Sequence, residues 1–443
     1  MSTLAPAALR IGRSEILAHA VGICLRPLHA LTVAPSLFFV TAMAVMLFRP
    51  PDYRFHSYDR YALALLLFAV FLRACVLRQP LRVEGAIRWP MLGLLTLALG
   101  GALAQPYQAE TWSLIASKWL VPFALYWVSG HVFRDAQSLR RFETFSLVVL
   151  CYLSLLAILF MVGARDLIFP RYILDESLGI HADRARGPFL QAVANGMALN
   201  LLGLVALNSF RRGRLRGIPA VCLLAAVPLA ILATRTRAVW LSFAGSILGL
   251  LFFSSSRRMR RACLCLLVTG IVGLVAVVII EDHHRSLSER LEEGGPVKFR
   301  MAVYQAGWEM FLQRPLRGWG ANTMQAELSN RISDFHQEQF YFHNTYLEIL
   351  VQYGLVGLAL YVWMVVDLFR LGRRPRTNIV LENHTFLDQQ FRSMWPMLLA
   401  VYLVNGSFVV MNYQFVNGFL FTLAGMLGAQ NQRYAEGANE LAN

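Results

Sequence analysis

The sequence predicts an all-α polytopic membrane protein, and three observations support that prediction. The 443-residue chain is 57% hydrophobic, only 15% of its residues are charged, and apolar runs of membrane-spanning length recur along it. A soluble domain usually carries about 25% charged residues, so an ordinary soluble enzyme is excluded, and the abundance of apolar residues excludes a disordered chain. The net charge of +15 is first a topology signal in such a protein. No stretch is long enough to form a basic nucleic-acid-binding domain, so we expect no nucleic-acid partner.

Twelve apolar runs predict about 12 transmembrane helices, since a bilayer core about 30 Å thick needs roughly 20 residues of helix. The runs lie near residues 30–48, 61–77, 89–105, 113–131, 143–163, 189–208, 217–233, 238–255, 262–280, 344–369, 394–411 and 414–430. Two connections are long, at about 164–188 and 281–342. In the larger one, Phe299, Val303 and Ala306 recur at helical spacing, so we expect an amphipathic helix on the membrane surface. Residues 1–443 are expected to form one integral membrane domain.

The basic residues predict the orientation of these helices. If the amino terminus is cytoplasmic, the cytoplasmic segments hold 24 Lys and Arg residues and the external segments hold 16. Most of the external residues lie in the two long loops, whereas most cytoplasmic connections are short and dense in arginine, as the positive-inside rule requires. We therefore expect both termini in the cytoplasm and the two long loops on the periplasmic face. Long insertions on one face of a compact scaffold are typical of a functional site.

His343 is the strongest catalytic candidate, because it lies where the larger loop runs into an apolar helix. Helical continuation places Asn344 and Glu348 near one another, with His343 at the helix start. An imidazole at this membrane–water boundary can act as a general base at neutral pH. A helix cap or an ordinary interfacial histidine is the alternative explanation of this residue.

Arginines from three other external segments accompany this histidine. They are Arg184 and Arg186 just before the sixth span, Arg235 and Arg237 in a very short turn, and Arg300 on the predicted surface helix. Arginines at the rim of a membrane are costly unless they bind an anion or extend into water. Extension into water, or a solvated helix face in the case of Arg300, is the alternative to substrate binding.

This set of residues suits a lipid diphosphate, because guanidinium groups bind phosphate oxygens bidentately and stabilise the charge on a leaving group. Lys118, inside the fourth span, is expected to face an interior cavity and to add another cation. No nucleotide-binding loop is present, and the stretch Glu281-Asp-His-His284 is better explained as the polar start of a loop than as a metal site. We expect no cofactor and no metal, so the driving force must come from the activated substrate.

Several short motifs, in this order, resemble the shared region of the O-antigen ligase and polymerase superfamily. They are Arg186-Gly-Pro-Phe189, Thr236-Arg-Ala-Val-Trp240, Arg300, Trp308, Pro315-Leu-Arg-Gly-Trp-Gly-Ala-Asn322, His343-Asn-Thr-Tyr-Leu-Glu-Ile-Leu350 and Gly354-Leu-Val-Gly357. They cover residues from about 184 to 357, and the rest of the chain agrees in helix count. The chain is most similar to the O-antigen ligases, because neither long loop carries the Arg-x(10)-Gly spacing that is frequent in O-antigen polymerases.

The resemblance implies a glycosyltransferase of the bacterial inner membrane with a GT-C-like architecture and an active site facing the periplasm. Its donor would be O-antigen polysaccharide on undecaprenyl diphosphate, and its acceptor would be the lipid A–core oligosaccharide. Transfer would invert the anomeric carbon and use neither metal nor ATP.

The resemblance also implies roles for individual residues. His343 would be the general base on the acceptor hydroxyl, and Arg237 and Arg300 would bind the diphosphate as it leaves. Further substrate contacts would come from Arg184, Arg186, Arg235, Lys118 and Asn344. The doubled Thr-Arg-Thr-Arg leaves open which of Arg235 and Arg237 contacts the diphosphate, and we prefer Arg237 because Ala-Val-Trp follows it.

Three other functions remain open. An O-antigen polymerase would lengthen the lipid-linked glycan instead of moving it to lipid A–core. A transporter would use the same cations to move a lipid diphosphate without cleaving a bond, although transport usually places ionisable residues near mid-membrane. A structural membrane protein would need neither the histidine nor the arginines.

Overall fold

The computed structural model describes residues 34–48, 58–81, 85–179, 181–282, 295–332, 341–373 and 386–442. Its α-helices are α1 Pro35–Leu47, α2 Tyr58–Leu77, α3 Arg88–Leu103, α4 Ala109–Ile115, α5 Val121–Val132, α6 Ala136–Met161, α7 Ala192–Arg211, α8 Gly217–Ala233, α9 Arg237–Phe253, α10 Arg257–Asp282, α11 Gly295–Gln313, α12 Ala321–Arg331, α13 Thr345–Leu371, α14 Gln389–Gly406 and α15 Gln414–Ala442. A π-helical turn, Ala116–Leu120, joins α4 to α5, so these two form one continuous span.

The prediction of an all-α polytopic membrane protein is confirmed. The described part of the chain is helical without strands, and each of the twelve apolar runs corresponds to a helix or, for the fourth run, to α4 and α5 together. By length and composition, α2, α6, α7, α10 and α13 can cross a membrane, and α1, α3, α8 and α9 are shorter apolar helices. The larger loop is partly helical, as expected, since it contains α11 and α12. Its residues 283–294 and 333–340 lie outside the described part.

Helix α7 lies at the centre of the bundle. Most of its residues are buried, whereas α2 and α10 expose most of their apolar side chains, as helices that face lipid do. Two amides on α7 bond to neighbouring segments. Asn200 Nδ2 donates to Ser242 Oγ of α9 at 3.3 Å, and Asn208 Nδ2 donates to Phe386 O at 3.1 Å. Interhelical hydrogen bonds of this kind fix the register of helices that lipid surrounds.

The connections between helices gather at two opposite ends of the bundle, as the predicted topology requires. At one end, which we call the loop end, Thr345 Oγ1 at the start of α13 donates to Val409 O in the turn after α14 at 2.7 Å, and Ala185 N of the first long loop donates to Ala233 O at the end of α8 at 3.1 Å. At the other, the arginine end, Arg212 Nη1 lies 3.1 Å from Oε1 of the fully buried Glu143. The alternation of connections therefore agrees with the sequence, and the side of the membrane that each end faces stays a prediction.

Helix α13 is broken at Gly354, within a motif that the sequence had singled out. This residue has a φ of 65°, a left-handed value that glycine adopts without steric cost. A Cβ atom at this position would collide with the carbonyl group of Leu316, which belongs to the turn between α11 and α12. The backbone of that turn thus lies directly against the broken helix, and only glycine leaves room for it.

The turn before α12 also satisfies the backbone groups that the break releases. Trp319 N donates to Val351 O at 3.0 Å, and Gly320 N donates to Gln352 O at 2.9 Å. Both carbonyls would otherwise lack partners in a largely buried region, at a cost of about 1–3 kcal/mol each. The Gly-Trp-Gly motif therefore attaches the start of α12 to α13 through backbone hydrogen bonds.

A second hydrophobic core lies at the loop end, separate from the core of the bundle. It is formed by α11, α12 and the first turns of α13, and its buried members are Val303, Ala306, Met310, Phe311, Met324, Leu328, Ile332, Phe342 and Val351. The amphipathic helix predicted from Phe299, Val303 and Ala306 is thus α11. Its apolar face packs on protein in this core, and whether the helix also lies on the membrane surface stays a prediction.

Candidate active site

His343 lies directly before α13, and its two neighbours hold it there. Phe342 is only 1% exposed within the second core. Asn344 caps the helix, since its Oδ1 accepts hydrogen bonds from Tyr346 N at 2.9 Å and Leu347 N at 3.1 Å. Such a cap contributes about 1 kcal/mol. Asn344 therefore caps the helix, and the half-buried imidazole of His343 does not. A substrate contact by Asn344 stays a prediction.

Two groups near His343, Arg300 and His181, affect its pKa. Burial lowers the pKa of His343, and the positive charge of Arg300 and the neighbouring His181 lower it further. The pKa of His181 is also lowered, first by burial and then by Arg184, while Asp183 opposes the change. Both histidines are therefore largely neutral at pH 7, and a neutral imidazole can accept a proton.

The second core sets the position of Arg300 relative to His343. Val303, on the same helix as Arg300, is fully buried against residues that include Phe342, the neighbour of His343. The Arg300 side chain itself is exposed, and no described residue forms a hydrogen bond or an ion pair with it. Arg300 therefore lies near the imidazole, and its N–H groups can bind a substrate anion.

The Arg186 side chain forms its hydrogen bonds within its own loop. Its side chain is 1% exposed, and its Nε donates to Ile173 O at 2.9 Å. Its two terminal nitrogens donate to the carbonyl oxygens of Leu178 and Asp175. A guanidinium group that satisfies three carbonyls fixes the conformation of residues 173–178. Contact between Arg186 and substrate stays a prediction.

The same loop is attached to the short turn that carries the other predicted arginines. Ala185 N donates to Ala233 O at 3.1 Å, and Asn195 Nδ2 donates to Ala185 O at 2.9 Å. The adjacent Arg184 is partly exposed, with its Nε 3.8 Å from a carboxylate oxygen of Asp183. The loop therefore bridges the turn between α8 and α9 and the region around His343.

Arg235 and Arg237 both project from that turn and are exposed. Arg235 has a φ of 48°, and Arg237 is the first residue of α9, where the helix dipole adds positive potential. Trp240 Nε1 donates to Ile231 O at 3.0 Å, which fastens α9 to the end of α8. The tryptophan of the motif thus orients the turn, and no described residue forms a hydrogen bond or an ion pair with Arg237.

Three polar residues of the site have left-handed backbone conformations. They are His181, Arg235 and His343, with φ values of 55°, 48° and 49°. Such values are uncommon for residues with a Cβ atom, and strained residues of this kind cluster at functional sites. Each of the three lies on a different loop, and the loops meet at the same end of the bundle.

Lys118 lines a cavity of about 290 Å³ at the loop end, as the sequence led us to expect. The cavity lies between the π-helical turn, α12 and the start of α13. The Lys118 Nζ atom is 2.6 Å from Oε2 of Glu348, and the two side chains are only 7% and 12% exposed. Its ammonium group also lies 5.3 Å from the ring centroid of Trp119. Pairing with a carboxylate explains how the span accommodates a buried lysine.

The structure brings some of the predicted site residues near one another and leaves others apart. It brings His343 and Arg300 together, and places Arg184 beside them through His181. It does not bring Arg237 into direct contact with them within the described residues, so a shared ligand would have to span the gap. No role was predicted for His181, although a second histidine beside arginines in an external loop is a signal that could have identified it.

Comparison with known families adds one finding. Residues 220–362 match the family model described as O-antigen ligase. The match covers less than half of the chain, extends from α8 into α13, and is consistent with a member of the O-antigen ligase and polymerase superfamily, which confirms the resemblance seen in the motifs. It includes Arg235, Arg237, Arg300 and His343, whereas Arg184, Arg186 and Lys118 lie outside it. No curated protein matches the chain.

Proposed function

We propose that this protein is a glycosyltransferase that moves O-antigen polysaccharide from undecaprenyl diphosphate to lipid A–core in the periplasmic leaflet of the inner membrane. The observation that carries the proposal is a half-buried His343, whose pKa burial and the exposed Arg300 lower, inside the segment that matches the O-antigen ligase family. The match by itself supports a role in O-antigen processing of the ligase or polymerase type. The acceptor is what distinguishes the two.

In the proposed step, His343 accepts the proton of a hydroxyl group on the acceptor sugar. The acceptor oxygen forms a bond to the anomeric carbon of the donor glycan as the bond from that carbon to the diphosphate oxygen breaks. The diphosphate leaves with the bonding electrons, and the anomeric configuration is inverted because the displacement is direct. General base catalysis of this kind contributes about 10²–10⁴-fold to a rate.

The arginines act on the leaving group. Arg300 and Arg237 bind the diphosphate oxygens and stabilise the negative charge that grows as the bond breaks. Both guanidinium groups are exposed and have no ion-pair partner among the described residues, so binding does not require breaking an existing salt bridge. Arg184, Arg186, Arg235 and Asn344 are further substrate contacts in this proposal. The energy comes from the activated diphosphate, so we expect full activity in EDTA and without ATP.

A product assay with purified protein in lipid nanodiscs tests the proposal. The donor is the glycan on undecaprenyl diphosphate, offered with and without lipid A–core, and products are separated on a gel. We expect glycan on lipid A–core with the wild-type protein, and a loss of about 10²-fold or more with His343→Asn. Asparagine suits this position because it tolerates the left-handed backbone of His343 but is not a base.

Two results would overturn parts of the proposal. Lengthening of the donor glycan whether or not lipid A–core is present would identify a polymerase. Near-normal transfer by His343→Asn, with the thermal unfolding temperature unchanged, would remove His343 from the chemistry. Loss of activity in EDTA that a divalent ion restores would contradict the metal-free reaction.

A further inference from the structure

The charged side chains that line the cavity beside α13 do not suit a diphosphate. Lys118 is already paired with Glu348 at 2.6 Å, so its ammonium charge is balanced inside the protein. The wall also contains a second carboxylate, Glu110, to which the Tyr341 hydroxyl is hydrogen-bonded. Two carboxylates and one ammonium group give the cavity a net negative charge, which repels an anion at short distance. A ligand for this cavity is therefore neutral or cationic.

The polar part of the remaining lining favours a ligand with hydroxyl groups. Side-chain amides of Asn322, Gln325, Gln352 and Asn412 reach the cavity from three different segments. Each amide offers both donors and an acceptor, and carboxylates add strong acceptors, which together match hydroxyl groups that donate and accept.

One amide in the wall lacks a partner. The Oε1 atom of Gln325 is buried and has no hydrogen bond to any described residue. A buried acceptor without a partner costs about 1–3 kcal/mol, so such groups call for an explanation. Gln325 also lines the cavity, so a rotation of its side chain would present this acceptor to a ligand hydroxyl.

The cavity and the proposed general base share one short segment of chain. Tyr341 precedes His343 by two residues, and Glu348 is in the first turns of the helix that begins at Thr345. The cavity and His343 therefore belong to the same region of the loop end, although His343 does not itself line the cavity. The volume of about 290 Å³ is at the small end for ligand pockets and suits a single sugar rather than a polysaccharide.

We propose that this cavity binds one uncharged sugar residue of the reacting glycans, and that the Lys118–Glu348 pair contacts its hydroxyl groups. This inference rests on the proposed function, because it takes the sugar to be part of the donor or of the acceptor. In it, Lys118 contacts the substrate through a sugar rather than through the diphosphate. Both sources present the same chemistry, and separate probes distinguish them.

Direct binding to the full-length protein in nanodiscs tests the proposal without requiring turnover. Three probes are used in saturation-transfer NMR: lipid-free core oligosaccharide, one oligosaccharide repeat released from the donor, and inorganic pyrophosphate. We expect one of the two oligosaccharides to bind, which identifies the acceptor or the donor as the source. Pyrophosphate should not displace it.

Two variants of α12 make the test specific to the cavity. Gln325→Leu removes the unpartnered amide without breaking a hydrogen bond, so folding should be retained. It should weaken oligosaccharide binding by about tenfold, the effect of one lost hydrogen bond of about 1.4 kcal/mol. Asn330→Leu, which changes an exposed amide on the same helix outside the cavity, is the matched control and should bind like wild type.

The outcomes separate this inference from the proposed function. Failure of both oligosaccharides to bind, or equal affinity of Gln325→Leu and wild type, overturns the sugar site even if glycan transfer proceeds. Pyrophosphate binding that Lys118→Met abolishes would reassign the cavity to the diphosphate. Conversely, oligosaccharide binding that Gln325→Leu weakens, in a protein that transfers no glycan, would uphold the sugar site and reject the ligase function.

Discussion

The protonation state of His343 depends on the charges placed around it. Burial and the positive charge of Arg300 both lower its pKa, which keeps the imidazole neutral and able to accept a proton. Removing Arg300 should therefore raise the pKa of His343. In Arg300→Gln, the acidic limb of the pH profile of kcat/KM should move to higher pH, since kcat/KM reports the free enzyme.

The control for this shift lies on the same helix. Lys298 is also exposed on α11, two residues before Arg300, and it is not among the groups that lower the pKa of His343. Lys298→Met should leave the acidic limb in place. High salt should shrink the difference between wild type and Arg300→Gln, because it screens an exposed charge. An unchanged limb in Arg300→Gln at low salt would show that Arg300 does not tune the base.

The two arginines of the α8–α9 turn form a matched pair of residues. Both are exposed and lie two positions apart, but only Arg237 begins α9. Arg237→Gln should lower kcat/KM for the lipid-linked donor by about 10–100-fold, the value of charge-assisted hydrogen bonds of about 1.5–3 kcal/mol. Arg235→Gln should have a much smaller effect. A larger loss in Arg235→Gln would assign the diphosphate contact to that residue instead.

The break in α13 at Gly354 makes room for the turn that carries α12 at the loop end. Gly354→Ala would force an alanine into a left-handed conformation, at about 1–3 kcal/mol, and would push its Cβ into the Leu316 carbonyl. We expect a lower thermal unfolding temperature and reduced transfer, because the displaced turn carries α12. Thermal unfolding followed by tryptophan fluorescence measures the first effect.

A glycine in ordinary helix provides the comparison. Gly245 lies in α9, and a Cβ atom there would meet nothing within 4 Å. Gly245→Ala should leave stability unchanged or raise it by up to about 1 kcal/mol, since alanine favours the helix over glycine. Equal behaviour of the two variants would mean that the backbone at Gly354 is not constrained by the turn.

The sequence predicted the helices, but it did not predict the contacts between residues that are far apart in the chain. Twelve apolar runs specified the helices because a bilayer imposes a length and a composition on each span separately. The Lys118–Glu348 pair joins positions 230 residues apart, and no local pattern records such a contact. The burial of Arg186 escaped prediction for the same reason, since the carbonyls that bind it converge only when residues 173–178 fold over it.

The two ends of the molecule differ in how several of their arginines are bound. At the arginine end, Arg212 and Arg214 bind the fully buried Glu143, and Arg211 binds Asp388. At the loop end, Arg237 and Arg300 have no ion-pair partners within the described residues. Paired arginines suit a structural and topological role, whereas unpaired ones suit an anionic substrate. The two ends should therefore face opposite compartments, with the unpaired arginines in the periplasm.

Cysteine labelling of intact cells tests this orientation. In a variant without the natural cysteines, Glu176→Cys places a thiol on the exposed surface of the loop end, and Ser255→Cys places one on the exposed surface of the arginine end. A membrane-impermeant maleimide should label Glu176→Cys in cells whose inner membrane is intact. It should label Ser255→Cys only after that membrane is permeabilised. The reverse pattern would put His343 in the cytoplasm, where a donor presented in the periplasmic leaflet could not reach it.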